Sequence, residues 1–151
     1  MTVQALTGQD VIKLDNRIFN DLIDLDTVLL EYPSDIGVVK TGKNGNSIFA
    51  FNATGLNVNV TMRLVIGSTD DKYMQSRLAE WIKDPSAFIL FTGQFTKRVG
   101  DGSANITNVI YNLTGGIFTK IPATKTNVEG DTEQSVAIYN LSFSNGVRQI
   151  S

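Results

Sequence analysis

The sequence predicts a mainly β domain, a β-sandwich or open barrel with one flanking α-helix. Apolar and polar residues alternate with a period of two through most of the chain, the pattern of strands with one dry and one wet face. A single stretch, Thr69 to Lys83, carries apolar side chains at helical spacing. At 151 residues the chain has the size of one domain able to bury a real core, so residues 1–151 are read as one unit.

Each element follows from its residues. Val11–Leu14 and Arg17–Phe19 flank Asp15-Asn16, two residues that tolerate the left-handed conformation of a tight hairpin turn. A strand from Asp26 to Tyr32 stops at Pro33. Residues 34–46 are rich in Gly, Lys and Asn and read as a long exposed loop or a protruding hairpin. Ser47 to Ala53 is the next strand. From Leu56 to Ile66, Leu56, Val58, Val60, Met62, Leu64 and Ile66 point one way and Asn57, Asn59, Thr61 and Arg63 the other.

The helix has Ser68 as its N-cap and Asp70 and Asp71 in the positive first turn. Tyr73 (or Met74), Leu78, Trp81 and Ile82 form its apolar stripe. Asp84-Pro85 ends it, because Pro cannot extend the hydrogen-bond ladder. Strands over Ala87–Val99 and Ala104–Phe118 are joined by a turn at Gly100-Asp101-Gly102, and Gly115-Gly116 marks a bulge or kink. A polar connection, Pro122 to Gly130, leads to a last strand from Glu133 to Phe143. Several long strands in so small a domain leave unpaired backbone edges, and a neighbouring subunit is expected to cover them.

Composition removes many chemistries. The chain has no Cys and no His, so disulfides, thiolate nucleophiles, Cys/His metal sites and a Ser-His-Asp triad are all excluded. No apolar run approaches the roughly 20 residues of a bilayer helix, and no membrane insertion is expected. Met1–Ala5 lacks the basic start and apolar stretch of a signal peptide, so the chain is expected to stay where it is made. The net charge of −2 argues against a grip on nucleic acid. That charge is polarised. Residues 1–35 carry seven acids and two bases, 2 − 7 = −5, whereas residues 36–151 carry eight acids and eleven bases, 11 − 8 = +3. Such a chain suits head-to-tail contact between copies.

The remaining constellations have plain readings. Asp21, Asp24 and Asp26 lack the loop and the oxygen count of a cation site and read as a solvated or interface-facing strand. The Asn-x-Ser/Thr triplets at Asn52, Asn59, Asn105, Asn112 and Asn140 are a by-product of strands rich in Asn and Thr. The same composition gives strands a polar, largely uncharged face, which suits the wall of a wet channel and equally any solvated sheet. Gly42, Gly45, Gly100 and Gly102 form turns; none has the setting of a phosphate loop. Phe49, Phe51, Phe88, Phe91 and Phe95 read as core or interface residues. No catalytic residue and no cofactor is assigned.

Three segments together resemble the tail tube proteins of bacteriophages, especially the small ones of contractile-tailed phages. They are Asp71–Gln75 with Leu78–Trp81 and Phe88–Phe91, then Tyr111–Phe118 with Ile121-Pro122, then Gly130–Gln134 with Tyr139–Phe143. The resemblance implies a structural, non-enzymatic subunit. Homo-hexameric rings stack into a hollow tube that conducts DNA, which passes without specific binding. Sheath, baseplate and tail-terminator proteins are the implied partners, and the implied location is the virion tail, assembled in the host bacterial cytoplasm. The stacking loop falls on Ser34, Asp35, Val38, Lys40, Lys43 and Asn46. Asn57, Asn59, Thr61 and Arg63 become the candidate inter-subunit or lumen-facing strand. Tubes of bacteriocin and secretion particles share this architecture and stay open as alternatives, as does a baseplate-associated β-sandwich interaction module.

Overall fold

The computed structural model describes residues 3–6, 10–20, 22, 28–124 and 136–150. The strands are β1 (Ala5–Leu6), β2 (Val11–Leu14), β3 (Arg17–Ile18), β4 (Val28–Glu31), β5 (Gly37–Thr41), β6 (Ser47–Phe51), β7 (Val58–Val65), β8 (Phe91–Gly100), β9 (Ile106–Thr124) and β10 (Val136–Ile150). One helix, α1 (Thr69–Lys83), lies between β7 and β8. The protein is mainly β with one flanking helix.

Eight strands form one antiparallel sheet in the order β3-β2-β8-β9-β10-β7-β4, with β1 pairing further along β8. Strands β5 and β6 form a separate two-stranded hairpin. The large sheet curls until β4 comes round to face β2. Ile12 from β2 and Val28 and Leu30 from β4 line one apolar groove with Phe95 and Tyr111. The result is an open barrel, and its interior is the core. Val58, Val60, Met62 and Leu64 of β7 are buried, as are Ala137, Tyr139, Leu141 and Phe143 of β10. These are the period-two positions of the sequence, and each fully buried large side chain contributes roughly 1.5–3 kcal/mol.

A kink divides the sheet. In β9 the buried positions are Leu113 on one side and Gly116 and Phe118 on the other, so the inward face changes parity between them. Gly115 takes φ 69° at the change, a left-handed conformation. A Cβ on Gly116 would overlap the ring of Phe143 and sit 2.9 Å from Phe91 Cβ. The β8–β9 register slips at the same place, between Phe91 and Gly93. The Gly-Gly pair is therefore the bulge that the sequence predicts.

Helix α1 starts as expected. Ser68 Oγ accepts from Asp71 N at 3.2 Å. Met74 and Leu78 are buried against the barrel, with Tyr73 and Trp81 half-buried beside them. Ile82, expected in the stripe, is 63% exposed; the buried fourth position is Arg77. The helix is tied to the β2–β3 turn by charge. Asp70 accepts from Arg17 Nη2 at 3.0 Å and from Asn20 N at 2.9 Å. Tyr73 Oη donates to Asp15 Oδ2 at 3.3 Å. Asp15 and Asn16 both take the predicted left-handed conformation, φ 51° and 65°.

Several boundaries differ from the sequence reading. The strand expected over 56–66 runs only from Val58 to Val65, because 53–56 close into a 3₁₀ turn. The strand expected from Ala87 begins at Phe91, after a 3₁₀ turn over Pro85–Ala87. Strand β9 runs past Phe118 through Pro122 to Thr124. Strand β10 runs past Phe143 to Ile150, since Ser144-Asn145-Gly146, turn-like in isolation, pairs with β9 instead. Asp21, Asp24, Asp26, residues 125–130 of the polar connection and residues 133–135 lie outside the described residues.

Candidate assembly surfaces

Residues 34–46 belong to a protruding hairpin. Strands β5 and β6 are exposed at every position. Their register puts Val39, Phe49 and Phe51 on one face and Val38, Lys40, Ile48 and Ala50 on the other. Phe49 and Phe51 are 77% and 73% exposed, far beyond what a core assignment would require. Both faces therefore offer apolar side chains to solvent, which marks an interaction surface. Lys43 and Asn46 lie in the tip, where Gly42 N donates to Asn46 O at 2.7 Å. Ser34 and Asp35 precede the arm. At its base Asn52 N donates to Ile36 O at 2.8 Å, and Gly55 lies so close that a Cβ would sit 2.6 Å from Ile36 Cα. The arm has a fixed root and a free apolar body.

The second surface is the outer face of β4, β7, β10 and the far half of β9. Register aligns it in rows across the sheet. Glu31, Asn59, Ser142 and Ile117 form one row; Leu29, Thr61, Asn140 and Lys120 form the next. Arg63 continues through Ile138 to Ala123. Thr61 Oγ1 donates to Asn140 Oδ1 at 3.2 Å, and Ser142 Oγ donates to Asn57 Oδ1 at 3.3 Å. Asn59, Thr61 and Arg63 thus share one wet face, as the alternation predicts. Asn57 lies just before β7 and joins them through Ser142. The wall is polar and carries few charges.

The same half-sheet is open at both sides. Strand β9 pairs with β8 only as far as Gly116. From Ile117 to Thr124 it pairs with β10 on one side and, among the described residues, with no strand on the other. Strand β4 pairs with β7 alone. These two bare edges lie on opposite sides of one sheet. The sequence signalled unpaired edges in general. It could not show which ones, because that depends on where β8 stops along β9.

A third exposed patch lies below the helix. Ile82, Ile89 and Leu90 are 63%, 75% and 50% exposed. Arg77 holds this segment from beneath: its Nη2 donates to Ile89 O, and its guanidinium lies 4.6 Å and 4.7 Å from the ring centroids of Phe88 and Phe91. The sequence reading missed Arg77, whose position on the buried side of the helix was the available signal.

Titratable groups in these regions have structural partners. Burial pushes the Tyr139 hydroxyl well above its ordinary pKa, and its 2.5 Å hydrogen bond to Asp71 Oδ1 acts in the same direction. Among the described residues no group of three His, Cys, Asp or Glu side chains converges as a metal site would require. No helix among them is long and apolar enough to cross a membrane. No known protein family matches the chain, and no curated protein matches it.

Proposed function

We propose that this chain is the structural subunit of a tail tube of bacteriophage type. Copies join side by side into closed six-membered rings, and the rings stack into a hollow tube that conducts DNA from a capsid into a host cell. The role is architectural and involves no catalysis. Sheath, baseplate and terminator proteins are its partners, and the virion tail is its location.

One observation carries this reading: a half-sheet with a wet, sparsely charged face and bare strands at both lateral edges. A sheet open at both edges repeats in a closed circle once identical copies add strand to strand. Its polar face then lines the lumen. A wall with few Lys and Arg side chains releases few counterions from passing DNA and so does not retain it. The hairpin supports the second step, since an exposed apolar arm on a fixed root suits packing against the ring above or below.

The test is microscopy and sedimentation of the purified protein over a range of concentration and salt. Six-fold rings and tubes are expected, and a monomer under every condition would refute the reading. Substituting both Phe49→Ser and Phe51→Ser should keep rings and abolish tubes. Fold stability should change by no more than about 0.5 kcal/mol, because both side chains are already solvated.

A further inference from the structure

We propose that the ring joint is antiparallel strand addition between β4 of one copy and the Ile117–Thr124 half of β9 of the next, with Glu31 facing Lys120. This deepens the ring reading and rests on it. Each joint needs two free edges, and the described residues of the half-sheet supply one on each side. Successive strands β4, β7, β10 and β9 are antiparallel, so β4 and β9 run in opposite directions. Rotation about a ring axis preserves those directions, and the edges of neighbouring copies meet antiparallel.

Charge selects the pairing. Glu31 is exposed on the β4 edge, in the outermost position of its row. Lys120 is exposed on the β9 edge, in the outermost position at the other side. Both belong to the wet face, because Glu31 pairs beside Asn59 and Lys120 beside Asn140. Setting Glu31 opposite Lys120 therefore keeps wet face with wet face across the joint. It also leaves the apolar side of β4, Val28 and Leu30, on the dry side. Opposite charges across a strand pair stabilise it, and like charges there oppose it. A head-to-tail contact of this kind has different surfaces on its two halves, as a ring requires.

The experiment is a charge swap scored by ring yield. E31K and K120E singly place like charges at every joint, and each should lower ring yield by at least about tenfold. The E31K/K120E double variant restores opposite charges with the sides exchanged and should return the yield to within about twofold of the parent. Unfolding midpoints of the monomers should stay unchanged, since both side chains are exposed. A second probe uses the absence of Cys. Glu31→Cys mixed with Lys120→Cys should form a mixed disulfide dimer on mild oxidation during assembly. If the parent forms rings, but the double variant is not rescued and the disulfide does not form, the joint is wrong and the tube reading stands. If the parent forms no rings, both fall.

Discussion

Replacing Arg77 with Met tests how the protein positions its lower apolar patch. The side chain is 11% exposed and has four kinds of partner. Its bond to Ile89 O is charge-assisted, worth roughly 1.5–3 kcal/mol. The two ring faces, Phe88 and Phe91, add about 0.5–1 kcal/mol each. Asp15 Oδ2 at 3.4 Å is partly solvated and adds about 0.5–1 kcal/mol. Glu80 is 60% exposed and adds little. Against these stands the desolvation of the guanidinium, which R77M relieves. The thioether also recovers about 0.3–1.5 kcal/mol against the rings. The expected net loss is about 2–4 kcal/mol.

Urea unfolding of dilute monomer reads this loss directly. Trp81 is the only tryptophan, and its ring lies 5.0 Å from Phe88, so its fluorescence reports on the cluster that Arg77 braces. With a slope of roughly 2 kcal/mol per molar urea, the midpoint should fall by about 1–2 M. R77K keeps the charge but cannot present the same planar fork to the carbonyl while lying over two rings, so it should fall nearly as far. A midpoint within about 0.3 M of the parent for R77M would refute the account. It would mean that the desolvation term cancels the contacts and that Ile89 is held by the backbone alone.

Two further changes probe the core. G116A forces a methyl group into the ring of Phe143 and the Cβ of Phe91, and should destabilise by about 1–3 kcal/mol in thermal or urea unfolding. Y139F removes the donor to Asp71 and should cost about 1–2 kcal/mol near neutral pH. The raised pKa of Tyr139 has its own signature, because its stabilising effect is fully present below the unfolded-state value near pH 10 and is lost as pH rises above it. Titration to alkaline pH should therefore destabilise the parent more steeply than Y139F, and parallel curves would contradict the assignment.

The fold class was legible because its signals are local. Alternation in 58–64 and 137–143 placed the core faces, Ser68 and Asp84-Pro85 bounded the helix, and Asp15-Asn16 fixed a turn by conformational tolerance. Boundaries failed where tertiary pairing overrode local preference. Ser144-Asn145-Gly146 stays extended only because residues 112–114 lie opposite. Ile82 reads as a core residue by spacing, yet Arg77 takes the buried position because two Phe rings and a carbonyl accept its charge. The polar row of Asn59, Thr61 and Arg63 was visible, but its continuation into Asn140 and Lys120 depends on register, which no single strand encodes. The same holds for the edges: strand length alone implied bare backbone, and only the end of β8 shows where it lies.

That end is set by the glycine pair. Strand β9 keeps its β8 partner until Gly116, and the left-handed Gly115 turns the chain at that point. Beyond it the strand follows β10 alone and exposes its other side. The kink that looks like a packing device is therefore also what creates the bare edge on which side-by-side assembly depends. The two roles separate experimentally. A change that destabilises the core elsewhere, such as Y139F, should lower ring yield only in proportion to the unfolded fraction. A change at the kink, such as G116A, should lower ring yield at temperatures where the monomer is still fully folded, because it redirects the Ile117–Thr124 segment. Equal losses of assembly at equal losses of stability would show that the kink serves packing only and that the joint lies elsewhere.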